Sequence, residues 1–168
     1  MKKVKKLKKI RDLRQLIEQK EQERQQETRK VIAVSAGTCG QARGALEVIK
    51  ALKKSLKDAG LKDQVALRIT GCHGFCEAEP NIIIYPDRIF YQKLTPADMP
   101  TVVEETIRDG RVVEKYLYRD PNTKRRFWYE NEIPFYQKQK RLVLGDNVFV
   151  DPTSLYDYLS IGGFRSFL

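Results

Sequence analysis

The chain has no apolar run long enough to cross a bilayer, and its lysine-rich start carries neither the apolar segment nor the small-residue cleavage site of a secretory leader. These absences read as a cytoplasmic protein with no transmembrane segment, in which thiols stay reduced. Cysteine is scarce: there are three in 168 residues, and an odd number excludes a fully paired disulfide framework. The C-x-x-C spacing of a thioredoxin-type dithiol is missing. Histidine occurs once, at His73. No glycine-rich loop opens a helix in the way a phosphate cradle does, so neither FMN nor NAD is expected to bind this chain.

What cysteine there is stands in informative places. Cys72 and Cys76 lie in Gly71-Cys72-His73-Gly74-Phe75-Cys76, and Cys39 lies in Gly37-Thr38-Cys39-Gly40 after an apolar run. C-x-x-x-C beside glycines can turn backbone and sulfur round one centre, because glycine adopts positive φ without strain. Two such loops at strand ends point to a metal or iron–sulfur site. The competing role for a free cysteine is a small buried hydrophobe, which suits these glycine-flanked positions poorly. A zinc site of three thiolates plus His73 is disfavoured, since adjacent Cys72 and His73 chelate one ion awkwardly. His73 reads more simply as a solvated loop residue.

The net charge of +10 is concentrated at one end: residues 1–30 hold twelve Lys/Arg against five Asp/Glu, or +7. Val4, Leu7, Ile10, Leu13 and Ile17 form a narrow apolar stripe on one helix, which becomes polar on all sides up to Lys30. This reads as a docking helix followed by a solvated spacer. Interleaved acids at Glu18, Glu21, Glu23 and Glu27 argue against nucleic-acid binding.

From Val31 the pattern is β-α-β-β-β-α. Val31–Val34 reads as a buried strand, and a helix follows from about Gln41, with Ala45, Val48, Ile49, Leu52 and Leu56 at helical spacing. Val65–Ile69 alternates as a strand leading into the Cys72/Cys76 loop, and Asn81–Tyr85 and Ile89–Gln92 form a strand pair. The next helix carries Met99, Val102, Val103 and Ile107, with Pro100 in its first turn and Asp98 as N-cap. The fold class is α/β: a small mixed sheet with two helices, preceded by the long basic helix and followed by an extended connector. Three regions result: 1–30, helix and spacer; 31–115, the sheet domain; 116–168, the connector. The aromatic stretch Arg125-Arg126-Phe127-Trp128-Tyr129 reads as packing rather than as a base-stacking surface.

Gly37-Thr38-Cys39-Gly40-Gln41-Ala42-Arg43-Gly44-Ala45, Thr70-Gly71-Cys72-His73-Gly74-Phe75-Cys76-Glu77 and Tyr85-Pro86-Asp87-Arg88-Ile89-Phe90-Tyr91 resemble the thioredoxin-like [2Fe-2S] ferredoxin domain. In this family that domain opens the NADH-binding flavoprotein subunit of hydrogenases, formate dehydrogenases and complex I-like enzymes. Tyr118-Arg119-Asp120-Pro121, Ile133-Pro134-Phe135-Tyr136 and the stretch from Asp151 to Phe164 are similar to the connector that follows it there. The resemblance implies a chain cut short before the FMN/NADH domain, working with the other subunits of an NADH-dependent oxidoreductase complex. It implies a [2Fe-2S] cluster on Cys39, Cys72 and Cys76. Such a cluster takes four protein ligands; counting back from Gly44, the family's paired cysteines of the first loop fall on Ser35 and Gly40, so Ser35 becomes a weak fourth candidate and Cys39 is displaced by one. The implied function is one-electron transfer, with no catalytic residue in this chain; the alternative is a cluster-free docking scaffold for partner subunits.

Overall fold

The computed structural model describes residues 7–168, so Val4 of the apolar stripe lies outside the described residues. Helix α1 (Ile10–Gln25) is followed by strand β1 (Lys30–Ser35), a short helix α2 (Thr38–Ala42) and helix α3 (Ala45–Asp58). Strands β2 (Val65–Thr70), β3 (Ile82–Tyr85) and β4 (Ile89–Tyr91) complete a sheet of order β2-β1-β3-β4. β1 and β2 are parallel, whereas β3 runs antiparallel to both β1 and β4. The helix expected from Gln41 is interrupted: Gly44 takes φ +92°, ending α2 and starting α3 in a new direction. After a Thr95/Asp98 capping box, helix α4 (Met99–Thr101) widens into a π-helix over Val102–Arg108. Asp98 is the N-cap residue of α4, as expected, but its carboxylate turns back to accept Thr95 N–H at 2.8 Å rather than capping that helix through its side chain.

Strand alternation sorts the side chains into two buried clusters. Ile32, Val34, Ile82, Ile84 and Tyr91 face α3 and the π-helix, meeting Val48, Leu52, Met99 and Val103. The opposite face carries Ile83 and Phe90, which meet Phe75, Phe127, Ile133, Tyr136 and Val148. Burial on both faces explains the unbroken Ile82-Ile83-Ile84 run in β3, an inner strand of the sheet. The cover for that second face is the segment after residue 116, comprising the hairpin β5 (Tyr118–Arg119) and β6 (Arg126–Phe127), the short helix α5 (Pro134–Gln137) and the turns that follow. The aromatic stretch is therefore packing, as its turn chemistry suggests, and the body it packs on is its own sheet.

The leading helix also finds its surface within the chain. It packs against helix α6 (Leu155–Ser160), burying Ile17 and Leu159 to 1% exposure each. Arg24 lies over the Phe149 ring at 4.5 Å, and Arg165 Nε donates to Glu21 at 3.0 Å. The stripe is narrow because its counterpart is a single short helix, so no partner's groove is needed to bury Ile17. Truncation of a fully buried isoleucine costs about 2–5 kcal/mol. Ile17→Ala should therefore lose hydrogen-exchange protection in α6 while the amides of β1 and β3 stay protected, which exchange mass spectrometry reads directly.

Candidate metal centre

β1 and β2 are parallel neighbours, so the loops that leave them start at the same edge of the sheet. The first loop leads into α2 with Cys39 in its first turn; the second holds Cys72 and Cys76. The loops meet at backbone level: a Cβ added at Gly37 would lie 3.0 Å from both Cys72 Cβ and Cys72 N. Gly74 turns the second loop with φ +88°, and its N–H donates to Cys72 Sγ at 3.2 Å. Gly71, expected to share that role, is not at positive φ; it lies beside the Asn147 amide instead.

Cys72 Sγ and Cys76 Sγ are 4.0 Å apart, and Cys39 stands close enough to Cys76 to perturb its thiol. All three cysteines are free thiols, Cys39 and Cys76 exposed and Cys72 half-buried. The crowding is electrostatically uphill: the Cys39 contact, followed by burial and the neighbouring Cys72, pushes the Cys76 thiol up to about 11. Bringing thiolates together is favourable only around a cation, whose charge reverses this effect. Among the described residues no three His, Cys, Asp or Glu donors surround a single-ion position.

Ser35 is placed elsewhere. It is fully buried at the end of β1, where its hydroxyl donates to Glu79 Oε1 and lies 3.4 Å from the Gly71 carbonyl. Glu79 is itself buried; desolvation raises its pKa against the hydrogen bonds from Ser35 and Asn81 that lower it. Asn81 N–H donates to Glu79 Oε2 at 3.2 Å, while the Asn81 side chain lies 3.1 Å from His73 Nδ1. His73 Nε2 lies 2.5 Å from Thr70 Oγ1. A polar layer, Ser35–Glu79–Asn81–His73–Thr70, thus runs beneath the thiols and ties the ends of β1, β2 and β3 together.

His73 is the clearest departure from the sequence expectation, being fully buried rather than solvated. Its neutral ring donates from one nitrogen and accepts at the other, which lets it bridge Thr70 and Asn81. Glu79, Asn81 and Thr70 carry no spacing signal; the available clue was the polar run Glu77-Ala78-Glu79-Pro80-Asn81 standing directly before Ile82-Ile83-Ile84.

Comparison with known proteins agrees with this geometry. Residues 20–107 match the model of the family described as thioredoxin-like [2Fe-2S] ferredoxin. The chain belongs to that family. It is similar to the 2Fe-2S ferredoxin of Aquifex aeolicus (strain VF5), at 32% identity over 82 residues, covering 48% of this chain and 73% of that protein. It is also similar to the 2Fe-2S ferredoxin of Clostridium pasteurianum, at 28% identity over 74 residues, covering 44% and 72%. The solved thioredoxin-like [2Fe-2S] ferredoxin from Aquifex aeolicus superposes with a TM-score of 0.50 at 25% identity, covering 54% of this chain and 96% of that one. The group that this ferredoxin family implies is a [2Fe-2S] cluster. Three thiols gathered across two loops, with an N–H donor on one sulfur, supply three of the four donors such a cluster takes.

Two predictions follow from the site. Gly37→Ala should force the loops apart and reduce iron bound per chain by half or more, with little change in far-ultraviolet circular dichroism. In the iron-free protein, burial holds the His73 pKa at about 4, below the ordinary 6.5. A depressed histidine pKa means the unfolded state binds the extra proton first, so stability is retained above pH 6.5 and lost as pH falls through that window to about 4. The loss from this group should be roughly 3 kcal/mol, and urea titrations of wild type against His73→Gln should show it as a slope that the variant lacks.

Proposed function

We propose that this protein is a one-electron carrier module that works as part of an NADH-dependent oxidoreductase, with Cys39, Cys72 and Cys76 as protein ligands of its [2Fe-2S] cluster. The observation that carries the reading is the convergence of the three thiols at one edge of the sheet, with Cys39 and Cys76 exposed. When bound, the cluster supplies a reversible one-electron couple. The chain's own part is to hold the sulfurs, to place the Gly74 N–H against Cys72 Sγ, and to keep one edge of the site open to a redox partner. The NADH-oxidoreductase context rests on the sequence resemblance and on the connector motifs after residue 116. In this reading the NADH and flavin chemistry belongs to another subunit or domain, and the working place is the cytoplasm.

Ser35 is the fourth donor this reading names, and its geometry sets the condition: the hydroxyl reaches iron only by releasing Glu79. Four thiolate-type ligands are usual for this cluster, so a serine oxygen in the set leaves a distinct signature. Ser35→Ala should alter the visible and paramagnetic spectra; an unchanged spectrum assigns the fourth position to a donor other than Ser35.

Protein prepared anaerobically with iron and sulfide should be reddish-brown and contain both elements, and Cys72→Ala or Cys76→Ala should remove most of the visible absorption. Absence of iron and sulfide from wild type after reconstitution would reduce the protein to the alternative role, a docking scaffold without a cluster.

A further inference from the structure

We propose that the segment from Phe135 to Asn147 is a clamp on the second cysteine loop, and that Asn147 is a positioning residue for the metal centre. The inference rests on the thiols holding the cluster. It goes beyond the family match, which ends at residue 107, and beyond the reading of residues 116–168 as a connector.

Three contacts carry it. Asn147 Nδ2–H donates to the Cys72 carbonyl at 2.9 Å, from 75 residues further along the chain. Leu144 Cδ1 lies 3.4 Å from where a Cβ on Gly74 would stand, so it packs on the glycine between the two cysteines. Phe75, the residue before Cys76, stacks on Phe135 with ring centroids 4.1 Å apart and 11° between planes. The loop is therefore gripped at its first ligand, at its turn and next to its second ligand. The clamp is also anchored at its own base, because Arg141 donates to the fully buried Glu130 at 2.5 Å.

The consequence is local. Fixing the Cys72 carbonyl fixes the plane of the peptide that follows, and two residues on, Gly74 N–H donates to Cys72 Sγ. Releasing that carbonyl frees the turn and weakens the N–H···S bond. Donors to a ligand sulfur stabilise the more electron-rich, reduced state, so a weakened donor moves the potential downward. Partners that orient ligands typically change metal retention 10–100-fold when removed.

The test uses the full chain, with Asn147→Ala and the isosteric Asn147→Asp, which offers no donor to the carbonyl at neutral pH. In iron-free protein, the alkylation rate of Cys72 by iodoacetamide, divided by that of Cys39 on the other loop of the same molecule, should rise about tenfold in both variants. In reconstituted protein, iron loss to a chelator should quicken about tenfold, and the reduction potential should become more negative. A thiol ratio that stays at the wild-type value in both variants overturns the clamp, whatever the iron content. A wild-type chain that takes up no iron overturns the electron-transfer reading, and the thiol ratio still decides the clamp.

Discussion

The contact on which the rest depends is that between Gly37 and Cys72, where two loops pass with no room for a side chain. It exists because β1 and β2 are parallel neighbours. Parallel strands need a crossover connection, here α2 and α3, and that connection returns the chain so that both strands end at the same edge of the sheet. Each strand end then contributes a loop, and the loops carry all three thiols. Had β2 been antiparallel to β1, Cys39 and the Cys72/Cys76 pair would stand at opposite edges. The metal centre is thus a consequence of strand direction first and of cysteine spacing second.

Gathering thiols has to be set against their mutual repulsion once ionised, and the polar layer beneath shows how the fold keeps its shape while the thiols above are protonated. Ser35, Glu79, Asn81, His73 and Thr70 are all buried, and each makes a hydrogen bond within the layer, with Asn81 Nδ2 alone among their side-chain polar atoms left without a partner. Buried polar groups are tolerated only when so satisfied. The layer's hydrogen bonds join three strand ends through protein groups alone. The cost falls on titration: a neutral histidine and a carboxyl raised by burial sit under the site, and acid weakens the first of these.

Much of this was legible in the sequence, and the reason differs by element. The strands and α3 follow from hydrophobic periodicity, which reports burial directly. The cysteine loops follow from glycine and cysteine at strand ends. Less legible were the contacts that depend on distant segments. His73 looks like a solvated loop residue until β3 supplies Asn81 and β2 supplies Thr70. Ile17 in the stripe on α1 looks unpartnered because α6, which covers it, lies beyond residue 150, while Leu7 and Ile10 stay exposed. Asn147 sits in Gly145-Asp146-Asn147, which reads as turn chemistry; nothing local reveals that its amide reaches Cys72. Sequence pattern reports how many faces of an element are buried, whereas the identity of what buries them is a tertiary fact.

The same distinction bears on where the redox unit ends. The alternation in β3 and β4 announces two buried faces, since Ile83 and Phe90 are as inaccessible as Ile82, Ile84 and Tyr91. α3 and the π-helix can cover only one of them. A division at residue 115 would leave Phe75, Ile83 and Phe90 facing water, and burying side chains of that size is worth about 1.5–3 kcal/mol each. The buried cluster runs across that point to Phe127, Ile133, Tyr136 and Val148. Because Phe75 is both a member of this cluster and the neighbour of Cys76, the energy that fastens residues 116–149 to the sheet is the same energy that holds the second cysteine loop. Stability of the second face and geometry of the metal centre are therefore coupled through one aromatic ring.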